Sequence, residues 1–127
     1  MTGNDLMKIA FDLCGYTQAD GTVPSDTEDL KLRAVSLINI VIAENAELDC
    51  RLRRTEHSVK PIASLEDFID CTEIISQSVL PYGLARLLVI GEDDELASGF
   101  LRLYNDARER AKTFGKARMT VIKEVYR

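Results

Sequence analysis

Apolar positions along this chain recur at intervals of three and four, the period of helices with one buried face. The densest stretch runs from Ser64 to Phe114. Ser64 and Asp67 form an S-x-x-D start whose oxygens can take up orphan backbone N–H groups. Leu65, Phe68, Ile69, Thr72, Ile75 and Val79 then mark one face of a helix. Pro81 lacks an N–H and crowds the turn before it, so the helix must kink or restart there. Leu84, Ala85, Leu87, Leu88 and Ile90 follow, a segment apolar on almost every side that demands burial. Gly91 stops it, and Asp93 or Asp94 caps a last helix. The stripe of that helix is Leu96, Phe100, Leu103, Ala107, Ala111 and Phe114, widened by Ala97, Leu101 and Tyr104. Two antiparallel helices joined at Gly91 can bury these stripes against each other.

Upstream, Asn4 or Asp5 caps a short helix through Leu6, Ile9, Ala10 and Leu13, which Gly15 ends; so short a helix survives only when docked. Residues 16–25 read as a loop. Ser25-x-x-Glu28 is a capping box that opens the longest helical pattern, from about Asp26 to Arg54. Its buried side is Leu30, Ala34, Leu37, Ile38, Val41, Ile42, Leu48 and Leu52. Asn45 falls on this stripe, where it either fixes register against a partner or sits near an edge. Leu32, Val35, Ile40 and Ala43 widen the apolar surface beyond what one partner helix would cover. Residues 55–63 form a connecting loop. Gly115 ends the last helix, and Arg118 to Arg127 alternates in the manner of a terminal strand or extended arm. Such an arm must pair with another segment, and pairing with one in a neighbouring subunit would be an efficient assembly device. The expected architecture is all-α: one domain over residues 1–127, a small bundle of about four to five helices with a short C-terminal β-like arm.

Charge changes this picture more than composition does. The formal charge is −5, but residues 1–101 hold 8 basic and 18 acidic side chains while residues 102–127 hold 8 basic and 3 acidic. A basic tail suits nucleic acid; it equally suits self-association, one copy's basic end meeting the next copy's acidic surface. The net acidity favours the second. The basic knot Arg51-Leu52-Arg53-Arg54 is explained by the helix dipole, with DNA contact the rival reading. No apolar run reaches the roughly 20 residues a membrane span needs, and no signal peptide is expected at the N-terminus. Cys14, Cys50 and Cys71 read as buried free thiols in a reducing compartment.

Candidate chemistry is sparse. His57 is the only histidine, with no ligand-spaced cysteine near it, and a Cys-His nucleophile would have to use it as base. Glu92-Asp93-Asp94-Glu95 lacks the alternating ligand spacing of a calcium loop, and helix capping accounts for it. Glu66, Asp67, Asp70 and Glu73 form a carboxylate-rich helix face. No enzymatic activity, cofactor or metal is expected.

Several stretches together resemble the small head–tail connector (adaptor, or head-completion) proteins of tailed bacteriophages and prophages. They are the short helix ending in Cys14-Gly15-Tyr16, the long helix from Asp26, Ser64-Leu65-Glu66-Asp67, Leu80-Pro81-Tyr82-Gly83-Leu84-Ala85, the Gly91-Glu92-Asp93-Asp94 break and Phe100-x-x-x-Tyr104-Asn105. The resemblance covers most of the chain. It implies a mainly helical subunit that forms a ring of about a dozen copies beneath the portal. That ring joins the capsid to tail or stopper proteins, and DNA passes through its lumen without sequence-specific contact. Localisation would be the virion neck, and the bacterial host cytoplasm during assembly, with no membrane. An acidic balance suits a channel wall that must not grip a polyanion.

The expected subunit contacts set Arg102, Arg108, Arg110 and Lys112 against Glu92, Asp93, Asp94 and Glu95 or the Glu66–Glu73 face. Val121, Val125 and Tyr126 belong to the docking arm. The rival function is a small helical nucleic-acid-binding regulator using the basic segment 102–118; a plain helical accessory module without a ring is the other.

Overall fold

The computed structural model describes residues 1–16, 28–54, 56 and 58–125, with side chains through Gly115 except that of Glu28. It is an all-α bundle. Five α-helices follow in order: α1 (Gly3–Cys14), α2 (Glu28–Glu44), α3 (Ala46–Arg53), α4 (Leu80–Val89) and α5 (Asp94–Val125), with a π-helical turn at Ile75–Val79 leading into α4. The residues around Ser25 expected to cap α2 lie outside the described ones.

α4 is the hub. It packs on α1, α2 and α5, and Leu80, Leu84, Ala85, Leu88 and Val89 are all buried, as a segment apolar on nearly every side requires. α1 contributes Leu6, Ala10 and Phe11, α2 contributes Ala34, Ile38 and Val41, and α5 contributes Ala97, Phe100, Tyr104, Ala107 and Ala111. At Gly83 the helices approach closely. A methyl group there would lie 2.7 Å from Val41 Cγ1 and 2.9 Å from Tyr104 Cε1. Glycine at this position lets α2 and α5 close on α4.

Helix ends follow from local chemistry. Thr2, one turn ahead of the expected caps, opens α1 through a reciprocal capping box with Asp5. Asp93 Oδ1 accepts the Leu96 N–H at 3.0 Å and so caps α5, as expected. Gly15 and Gly91, at φ 76° and 88°, take the left-handed stops that other residues adopt at a cost.

Four expectations take a different form in the structure. First, no helix starts at Ser64. Asp67 Oδ2 accepts the N–H groups of Ala63 and Ser64, and Ser64 Oγ accepts that of Glu66, so the supposed cap closes a local turn instead. The carbonyls of Leu65 and Asp67 accept the orphan N–H groups of Asn4 and Gly3, and Ile69 N–H donates to the Met1 carbonyl. Residues 64–69 are thus a strap over the α1 N-terminus. Phe68 is 77% exposed.

Second, the long helix is two. Asn45, at φ −108° and ψ 6°, separates α2 from α3. It is fully buried rather than at an edge, and its amide donates to the Val41 carbonyl and the Tyr104 hydroxyl, both at 2.8 Å. Third, the restart expected at Pro81 is found without a loop: a π-helical turn ends at Val79 and α4 begins at Leu80, with the proline in its first turn. The Leu80 N–H reaches back five residues to the Ile75 carbonyl, and this wider turn precedes the proline, which has no N–H to continue an ordinary ladder. Fourth, Gly115 does not end the last helix and the C-terminal β-like arm is not found: α5 continues to Val125. Val121 and Val125 stand four apart, a helical spacing as much as a strand one. Adding a residue to an existing helix is also easier than starting a new element.

Candidate interaction surfaces

The α3–α5 crossing gathers basic residues that are far apart in sequence. Leu52 on α3 meets Gly115 on α5, where a methyl on the glycine would sit 3.1 Å from Leu52 Cδ2. Beside this contact lies an open groove of about 670 Å³ lined by Leu48, Arg51, Leu52, Arg54, Glu109, Lys112 and Gly115. Its floor is apolar and three cations stand on its rim. Arg51 pairs with Glu47 at 2.6 Å and Lys112 with Glu109 at 3.1 Å. Both pairs are solvated contacts within one helix and hold their partners weakly. Arg54 has no ion-pair partner among the described residues.

At the far end of α5, Glu92, Asp93, Asp94 and Glu95 are all exposed, and Ile90 beside them is 51% exposed. Tyr16 lies close enough for its phenol to be raised by burial first, then by Cys14, Glu92 and Asp93. From Asp94 to Lys112 the helix rises about 27 Å. The acidic corner and the basic groove of one chain therefore cannot meet.

Of the expected contact residues, Arg102 and Arg110 are exposed. Arg110 lines a shallow hollow with Ile9, Leu13, Pro81 and Tyr82, away from α3. Arg108 turns inward: its guanidinium donates to the Glu44 carbonyl at 3.3 Å and lies 5.6 Å over the Tyr104 ring. Tyr104 donates its hydroxyl to Glu44 at 3.3 Å, and burial raises its phenol above the ordinary range. Val121 and Val125 are on the helical extension of α5, while Tyr126 lies outside the described residues. The Glu66–Glu73 face does not form as a helical face. Asp67 is taken up in the strap, Asp70 accepts from Arg53 at 3.2 Å, and Glu73 accepts from Gln77.

Two residues not singled out from the sequence organise this region. Asp49 is fully buried; one oxygen accepts the Thr72 N–H at 2.6 Å and the other the Arg53 Nε at 2.7 Å. Asn39 pairs its amide with the backbone of Ile62, donating at 2.9 Å and accepting at 2.8 Å. The spacing of Asp49 and Arg53, four apart on one helix, is the only sequence signal for the first. For the second there is none.

None of the three cysteines is in a disulfide, and each is partly buried. Burial pushes Cys14 and Cys71 up to about 12, far from the range of a nucleophile. His57 lies outside the described residues. Among the described residues no group of three or more His, Cys, Asp and Glu side chains is placed to hold a metal, and no helix is long and apolar enough to cross a membrane. Comparison with protein-family models, curated proteins and solved structures gives no match.

Proposed function

We propose that this chain is a structural subunit of a phage or prophage head–tail connector, a neck ring that joins portal and capsid to tail proteins around passing DNA. The observation that carries the reading is the apolar surface a single copy leaves uncovered. Leu32 is 82% exposed and Phe68 77%, and Ile40, Ile90, Leu103 and Phe114 are each between 42% and 51% exposed. Leu32 and Ile40 lie on the side of α2 that was expected to look beyond one partner helix. These side chains stand on α2, the strap, the α4–α5 turn and α5, and we take them as parts of surface kept for assembly, since exposed apolar patches mark interaction sites. The separation of acidic corner and basic groove supports the same reading, because complementary patches on opposite ends of one subunit join copies in series. So does the resemblance of the Leu80–Ala85 and Gly91–Asp94 stretches to the connector family.

In this role the chain contributes no catalytic group. Its work is to present fixed surfaces, and the buried α4 hub keeps them in register. The nucleic-acid regulator remains the second reading, favoured by the convergence of Arg51, Arg54 and Lys112 on one groove. The expected 102–118 surface supports it less, since Arg108 is turned inward and Asp106 and Glu109 are interspersed.

The test is to purify virions from a lysogen that carries the gene and to search the neck for this chain by mass spectrometry and immunogold labelling. Sedimentation and negative-stain imaging of the purified protein complete it. Presence in the neck together with closed rings, alone or on added portal, is the expected outcome. Absence from virions, combined with a strict monomer at all concentrations and with portal, would overturn the assignment.

A further inference from the structure

We infer that the groove at the α3–α5 crossing receives the acidic corner of a second copy, residues 90–95, in a head-to-tail contact; this rests on the reading of the chain as an assembling subunit. The two surfaces are complementary in shape and charge. The groove is apolar at its floor, through Leu48, Leu52 and Gly115, and cationic at its rim, through Arg51, Arg54 and Lys112. The corner is the converse shape: one half-exposed apolar side chain, Ile90, followed by Glu92, Asp93, Asp94 and Glu95, all exposed. At about 670 Å³ the groove is too large for one side chain and suits a turn of backbone with several.

Ile90 would enter against Leu48 and Leu52 while the carboxylates meet the rim. The cations are held by solvated carboxylates of their own helices or, in the case of Arg54, by none among the described residues, so exchanging partners costs little. Because about 27 Å of helix separates corner from groove, each chain has one of each to offer and neither can satisfy itself. Such an interface is heterologous. It closes into a ring when the rotation between successive copies divides a full turn and runs on as a filament otherwise. Asp93 already caps α5 through the Leu96 N–H, which fixes the corner's backbone before docking and lowers the ordering cost.

The experiment uses the full chain and two charge reversals that leave the α5 cap intact, R51E/K112E in the groove and E92K/E95K at the corner. Sedimentation equilibrium measures the weight-average mass from micromolar to millimolar protein at low salt, with circular dichroism checking that each variant is folded. The wild type is expected to associate with rising concentration, and each variant to associate at least about tenfold more weakly. Mixing the two folded variants is expected to restore association, because the reversed groove now faces a reversed corner. A wild type that associates while both variants do so equally well overturns the docking and leaves the assembling subunit standing. Loss in both variants without recovery on mixing also overturns it. A folded wild type that stays monomeric throughout overturns the docking and counts against the reading it rests on.

Discussion

The Asp49 carboxylate is fully buried and holds two segments at once, the end of α3 through Arg53 and the start of the π-helical run through the Thr72 N–H. Asp49→Ala would leave a buried N–H unpaired and an arginine with only Asp70 as partner. The expected loss is about 2–4 kcal/mol in urea unfolding, with Asp49→Asn losing less because one acceptor survives. Gly83→Ala is the complementary case, adding a group where none fits. With Val41 at 2.7 Å and Tyr104 at 2.9 Å, helix propensity would favour alanine but overpacking prevails, at about 1–3 kcal/mol of destabilisation. The thiols set a pH dependence. Folding raises Cys14 and Cys71 from 9.0 to about 12, so the unfolded chain releases their protons first. The stability they contribute is complete below pH 9 and is lost as pH rises from about 9 toward 12. Thermal melts across that range should fall steeply for the wild type and less steeply for Cys14→Ala/Cys71→Ala. At pH 8 an alkylating reagent should modify these two thiols only on unfolding.

At the scale of elements, what could be read from the chain was the periodic part. α1, α4 and the α4–α5 corner follow from apolar spacing and stop residues, because each helix forms against neighbours that its own pattern already requires. The α5 stripe follows only in part: Phe100, Ala107 and Ala111 are buried together with Ala97 and Tyr104, while Leu96, Leu103 and Phe114 are exposed. The misreadings fall where side-chain oxygens or tertiary partners compete with that pattern. Ser64 and Asp67 have the right types for a helix cap, yet their hydrogen bonds close a turn whose carbonyls then serve α1. No local signal in residues 64–70 could announce a debt at residues 3 and 4. Asn45 interrupts a helix because Tyr104, 59 residues on, meets its amide. The end of α5 was misread for a different reason: β-branched residues after Gly115 lower helix propensity by only a few tenths of a kcal/mol each, less than an established helix gains by continuing. A chain truncated after Gly115 should therefore lose helical ellipticity relative to the full chain. It should keep a cooperative melt, because the buried stripe from Ala97 to Ala111 lies before the cut.

For the whole molecule the informative quantity is the placement of charge rather than its sum. The sequence count divides the chain at residue 101, a basic tail against an acidic remainder, and this division is only half of what the fold presents. The α3 cations Arg51 and Arg54 join Lys112 at one groove, while Arg108 withdraws into the Tyr104 cluster. No count along the chain could pair α3 with α5, since tertiary packing, Leu52 near Gly115 included, is what brings them together. This arrangement also bounds what the molecule can do with DNA. If all three groove cations met phosphates, log affinity would fall with log salt at a slope of about −2.7, against slopes near −10 for a dedicated binder. The rest of a −5 chain would repel the same polyanion. Fluorescence anisotropy with a random duplex should thus show weak binding at low salt with that shallow slope, and no half-saturation below about 10⁻⁴ M protein at physiological salt. A slope of −6 or steeper would mean that six or more cations engage the backbone together, which requires Arg102, Arg110 and the residues after Gly115 to act with the groove as one surface. That outcome would move the balance to the nucleic-acid regulator, because a wall around passing DNA works only if it lets the DNA go.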